Sequence, residues 1–87
     1  MRAYKVTVTD AATSLISADN INRVAYINIV GNQAIAVGNS SVTFATGLLL
    51  EKHTAPIHID IPLGETLWAI CASGQTDDVR ILLPDSD

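Results

Sequence analysis

Eighty-seven residues set the scale of a single domain spanning 1–87, and a chain this short buries only about 60–65% of its unfolded surface. Hydrophobic residues make up 48% and charged residues only 16%, with a net charge of −4; the five basic residues are scattered along the chain, which argues against binding nucleic acid by phosphate neutralisation. One cysteine, Cys71, excludes an internal disulfide, and two histidines are too few to make a zinc site by themselves. The remaining route by which so small a domain gains stability is a partner subunit. Low charge fits this, because it leaves surface for another chain to cover.

Taken in order, the chain reads as short strands separated by turns. Ala3 to Thr9 alternates Tyr4, Val6 and Val8 against Lys5, Thr7 and Thr9, which predicts a first strand. Leu15-Ile16 carries a second short strand, although Ala11, Ala12, Leu15 and Ala18 also fit a helical turn, an alternative weakened by Thr13, Ser14 and Ser17; Asp19-Asn20-Ile21-Asn22 is a polar turn. Arg23 to Val30 predicts a third. It is apolar on both faces, with Val24, Tyr26 and Val30 against Ala25, Ile27 and Ile29, the mark of a central strand covered twice. Gly31-Asn32-Gln33 turns the chain, the glycine supplying an unusual φ, and Ala34 to Val37 returns as the hairpin partner. After Gly38-Asn39-Ser40-Ser41, Val42 to Phe44 is a short strand and Leu48-Leu49-Leu50 another. Pro56 opens the clearest strand, Ile57–Ile61, where three isoleucines point one way and His58 and Asp60 the other. Ile59 is expected in the core. Thr66 to Ala72 sets Leu67, Ala69 and Cys71 against Trp68, Ile70 and Ala72, and Val79 to Leu83 closes the domain. The fold class expected is all-β: a small antiparallel β-sandwich, jelly-roll-like, of about eight short strands.

Catalytic chemistry is hard to place on this pattern. His53 and His58 fall on opposite faces. His58 and Asp60 share one, as a surface pair. No serine sits in a G-x-S-x-G elbow, and the glycines form no phosphate loop. Cys71 reads as a packing residue. The expectation is a non-enzymatic protein without metal or cofactor. The first residues hold no apolar signal region and no stretch reaches membrane-spanning length, so a cytosol-like compartment of synthesis and no membrane partner are expected. Tyr26, Trp68 and Ile70 are the candidate functional residues. Each lies on a strand that is apolar on both faces, and a sandwich has one interior, so the second face requires another cover. Aromatics are enriched at subunit interfaces. A rival reading gives exposed aromatics such as Tyr4 or Trp68 to sugar stacking. A cupin-like enzyme would need a His/Glu cluster that the two histidines and Glu51 and Glu65 do not supply.

An ordered set of short signatures adds to this. Val6-Thr7-Val8-Thr9 is followed by Ser14-Leu15-Ile16, and Asn22-Arg23 leads into an apolar strand. Ala36-Val37-Gly38 precedes Ser41-Val42-Thr43 and the run Gly47-Leu48-Leu49-Leu50. Leu63-Gly64-Glu65-Thr66-Leu67-Trp68-Ala69 and the closing Asp78-Val79-Arg80-Ile81-Leu82 complete it. From about Val6 to Leu83 the chain resembles the small all-β virion proteins of tailed bacteriophages, of the head-decoration or cement type. It departs from that pattern at Asn20-Ile21-Asn22, which lacks a proline, and at Glu51-Lys52-His53-Thr54-Ala55, which replaces a glycine-containing loop. The resemblance implies a homotrimeric structural subunit on the capsid surface that bridges copies of the major capsid protein. Related folds also serve at tail and fibre positions.

Overall fold

The computed structural model describes residues 1–52 and 57–84. Among them are eight strands: β1 (Arg2–Val8), β2 (Thr13–Ile16), β3 (Arg23–Ile29), β4 (Ile35–Gly38), β5 (Leu48–Leu50), β6 (Ile57–Ile61), β7 (Leu67–Cys71) and β8 (Asp77–Leu83). They form two antiparallel four-stranded sheets, ordered β1-β8-β3-β6 and β2-β7-β4-β5. His53 and Pro56 lie outside the described residues.

The topology follows from one nested pairing. β4 pairs with β5, β3 with β6, β2 with β7 and β1 with β8. The chain is thus a long two-stranded ribbon bent at the segment between β4 and β5. Rolling that ribbon up brings β8 against β3 and β4 against β7, and the two sheets result. This is the jelly-roll form of the β-sandwich expected from the sequence.

Alternation decides which side of each strand is buried. β3 buries Arg23, Ala25, Ile27 and Ile29, β7 buries Leu67, Ala69 and Cys71, and β8 buries Asp77, Val79, Ile81 and Leu83. These apolar side chains join Val8, Leu15, Ile16, Ile35, Val37, Leu50 and Ile61 in one core between the sheets. In β6 the three isoleucines do share the inner side while His58 and Asp60 are exposed. Ile61 is fully buried there. Ile59 is only half-buried, because β6 is an edge strand.

Three local expectations are corrected. β4 is not the hairpin partner of β3. Both sides of β3 are taken, by β8 and β6, and the chain instead crosses to the other sheet. Gly31 does not supply a left-handed φ; among described residues only Gly64 and Gly74 have positive φ. What Gly31 supplies is space, since a Cβ there would lie 2.7 Å from the Asp77 carboxyl carbon. Residues 42–44 form no strand but part of a turn that folds over the outer side of β4. Val42 packs into the space above Gly38 and Gly47, where a Cβ on either glycine would meet it. That turn is why Ala36 is fully buried although it points away from the core.

Among the described residues two charged side chains are buried, one at each end of β3. At its start, Arg23 donates from Nη1 to the Ser17 carbonyl (3.0 Å) and from Nη2 to the Glu65 carbonyl (3.3 Å). Beyond its far end, Asp77 accepts from the backbone N–H groups of Gly31 (2.7 Å), Gln33 (2.9 Å) and Asp78 (2.7 Å). The first ties β3 to the segments bounding β2 and β7 of the other sheet. The second holds the crossover from β3 to β4 against β8.

Two weak acids at the core's margin give a pH dependence. Burial pushes the Cys71 thiol above its ordinary 9.0, with the Asp77 charge adding to the effect. Burial likewise raises the Tyr4 phenol, against the lowering fields of Arg2 and Arg23; its hydroxyl donates to the Leu15 carbonyl at 2.5 Å. A folded-state pKa above the unfolded one means the folded state holds its proton longer. The stabilisation is complete below the unfolded value and is lost as pH rises through the folded one. Urea midpoints are therefore expected to hold level near pH 7 and to fall as pH passes the ordinary 9.0 of the thiol. Cys71→Ala should remove the earlier part of the fall; an unchanged profile in that variant would contradict the assignment.

Candidate functional site: the outer face of the β1-β8-β3-β6 sheet

The sides of these four strands that point away from the core are built by register. Tyr26 of β3 stands opposite Leu82 of β8 and His58 of β6, and Leu82 stands opposite Ala3 of β1. This places Ala3, Leu82, Tyr26 and His58 in one row across the sheet. The Tyr26 and His58 rings are 6.0 Å apart and tilted by 51°. The next row holds Lys5, Arg80 and Asn28. On the other side of the first row Val24 pairs with Asp60.

Much of this face is apolar and open to solvent. Tyr26 is 43% exposed, Val24 39%, and Leu82 and Val30 37%. A shallow hollow of about 300 Å³ lies over Ala3, Leu82 and the Tyr26 ring, rimmed by Asn28 and Arg80. A larger one of about 590 Å³ continues the face past Val24 and Asp60 to Pro62 and Pro84. Scattered exposed apolar residues are ordinary, but contiguous ones mark interaction surfaces.

The charges on the face are only partly paired. His58 packs on Tyr26 and forms no ion pair with Asp60 among the described residues. Lys5 and Arg80 are directly opposite one another, a like-charge pairing that is unfavourable in a sheet. Lys5 reaches Asp78 at 3.9 Å, and Asp78 also accepts from the Thr7 hydroxyl at 2.8 Å. The Arg80 side chain has no hydrogen bond or ion pair among the described residues. No three His, Cys, Asp or Glu side chains among them group so as to hold a metal ion.

The three residues singled out from sequence do not form one site. Tyr26 lies on this face. Trp68 and Ile70 lie on the outer side of the other sheet, half-buried. Ile70 stands opposite Ala36 and Trp68 opposite Gly38, the two positions over which the 39–47 turn folds. Part of the second cover for β7 therefore comes from the chain itself, while the outer side of β3 has none among the described residues. Sequence reasoning missed Leu82 and Arg80. The signal was present: in Val79 to Leu83 these two are the residues out of phase with the core.

A second apolar patch lies in the other sheet, on the edge strand β5. Leu48 is 66% exposed, Leu49 51%, and Phe44 in the preceding turn 38%. Comparison with protein-family models, curated proteins and solved structures gives no match to this chain.

Proposed function

We propose that this chain is a non-enzymatic structural subunit of a tailed-phage virion, a head-decoration protein that binds the assembled capsid and stabilises it. The observation that carries the reading is the open apolar face of Val24, Tyr26, Val30 and Leu82. Low overall charge and the jelly-roll order, an architecture found in viral capsid subunits, support it, as does the resemblance in sequence. The mechanism is mass action. A subunit that binds only the assembled shell stabilises that state by RT ln(1 + [L]/Kd), about 2.7 kcal/mol per site at a hundredfold excess over Kd, and symmetric copies multiply the effect. In this reading the chain associates with itself as a trimer and with the major capsid protein. It is made in the bacterial host cytoplasm and works on the capsid surface.

Electron microscopy of the parent particle tests the assignment. The expected result is density for a small sandwich on the outer capsid surface, with capsids lacking it melting earlier. A particle without the chain would defeat the virion reading altogether. Density at the tail would favour the second reading, a fibre-associated carbohydrate- or receptor-binding module. One observation favours that alternative: the Tyr26 ring is open beside a hollow with polar Asn28 and Arg80 at its rim. It expects Tyr26→Ala to abolish binding to host-surface polysaccharide without changing assembly.

A further inference from the structure

We infer that the two apolar patches of this chain bind one another between copies, with Leu82 and Arg80 of one subunit receiving Leu49 and Glu51 of the next. The inference rests on the reading of the chain as a homo-oligomer and names its contact.

The starting point is the pairing of Lys5 with Arg80. The whole chain has only five basic residues and nine acidic ones, yet two of the five stand opposite each other on an apolar face. Asp78 engages Lys5, and the Arg80 side chain is left without a partner among the described residues. The site therefore asks for a carboxylate beside an apolar group. Arg80 and Leu82 are two residues apart on the same side of β8, so charge and apolar surface are separated by about 6.5–7 Å along the strand.

The chain carries the complement of that arrangement elsewhere. Leu49 and Glu51 are also two residues apart, both exposed, with buried Leu50 between them. They carry an apolar group and a carboxylate at the same two-residue spacing in sequence. The Glu51 side chain, like that of Arg80, has no hydrogen bond or ion pair among the described residues. β5 is an edge strand, so this segment is free to approach another molecule.

The two patches lie on different sheets of one molecule. Leu82 points outward from one sheet and Leu49 outward from the other, on opposite sides of the shared core, so a single partner copy does not meet both patches of its neighbour at once. The contact is head-to-tail, and such contacts close into rings or run on as filaments. A trimer is the small closed solution consistent with the proposed function. The charges set the register, and the leucines supply the buried area.

A charge-swap cycle tests the contact by sedimentation of the purified chain at micromolar concentration. Arg80→Glu and Glu51→Arg, each alone, should weaken association at least tenfold. The double substitution should restore it to within about threefold of the parent. Both positions are exposed, and circular dichroism of each variant checks that it is folded. As an independent readout, Leu49→Cys combined with Leu82→Cys should give disulfide-linked multimers under mild oxidation, and either alone should not give a ladder. An oligomer that neither charge substitution weakens, or that the double swap does not restore, overturns this contact and leaves the oligomer reading standing. A parent chain that sediments as a 9.2 kDa monomer removes the homo-oligomer reading and this contact with it.

Discussion

Asp77→Ala is expected to cost about 3–5 kcal/mol of folding stability and to lower the thermal midpoint by roughly 15 °C or more. The buried carboxylate accepts from the N–H groups of Gly31, Gln33 and Asp78. Hydrogen bonds to an ionised acceptor are about twice as strong as neutral ones. Removing the acceptor leaves Gly31 and Gln33 without it at the crossover between the sheets, where alanine offers nothing in exchange. Asp77→Asn should fall between alanine and the parent. Its amide keeps one oxygen to accept, but it turns an NH₂ group toward a neighbouring N–H. Gly31→Ala should reproduce much of the loss from the other side, by driving a methyl group into the carboxylate. The control is the next residue. Asp78 is partly exposed and its ion pair with Lys5 is long, so Asp78→Ala should cost about 1 kcal/mol or less. Urea unfolding of the four variants reads all of this. Equal losses at Asp77 and Asp78 would show that the crossover does not depend on the buried carboxylate.

Arg23→Ala is expected to cost about 2–4 kcal/mol. The guanidinium bridges the carbonyls of Ser17 and Glu65, which lie in segments flanking β2 and β7, so its loss parts the two sheets at that end. Arg23→Lys should not rescue the stability. An ammonium is a compact point donor and cannot hold two carbonyls in the planar fork that arginine provides. Arg23→Met should be milder than alanine. It keeps the aliphatic stem in place and removes the Nε group, which is buried without a partner and therefore carries a desolvation cost in the native chain. The order Met, then Lys or Ala, distinguishes packing from hydrogen bonding. If lysine equals the parent, charge alone matters and the fork geometry does not.

Both charged residues were legible in the sequence, though composition pointed elsewhere. Arg23 looks like one of a few scattered cations and Asp77 like the start of a solvated acidic turn. Their phase says otherwise. Arg23 is in step with Ala25, Ile27 and Ile29, and Asp77 with Val79, Ile81 and Leu83, all buried. Period-two alternation also gave the strands at 57–61 and 67–71 almost to the residue. It could not give their partners. Alternation is a property of one strand and its two faces, whereas pairing depends on where the chain crosses between sheets. The crossover after β3 is held by a carboxylate from residue 77, a contact across 46 residues of sequence, and nothing local to Gly31 announces it. The strand expected at 42–44 failed for a similar reason. Val42 is buried, but by lying across Gly38 and Gly47 rather than by joining a ladder. Of the candidate site, Tyr26 was found because its strand is apolar on both sides. Trp68 has the same pattern, and the difference between them is only which strand the 39–47 turn happens to cover.

The nested pairing also determines how the molecule bears load. Arg2 stands opposite Leu83, so the first and last strands end side by side. Ladder hydrogen bonds lie across the strands. A force drawn between these two ends pulls along the bonds of one pair, then the next, and peels the ribbon open in sequence. A force entering through the outer face of the same sheet meets many bonds and the packed core at once. The fold is therefore weak when held by its ends and strong when held by its face, a difference that single-molecule pulling through the two attachments would measure. For a subunit fixed to a shell by that face, internal pressure would be carried by the sheet, with the chain ends left out of the path of the load.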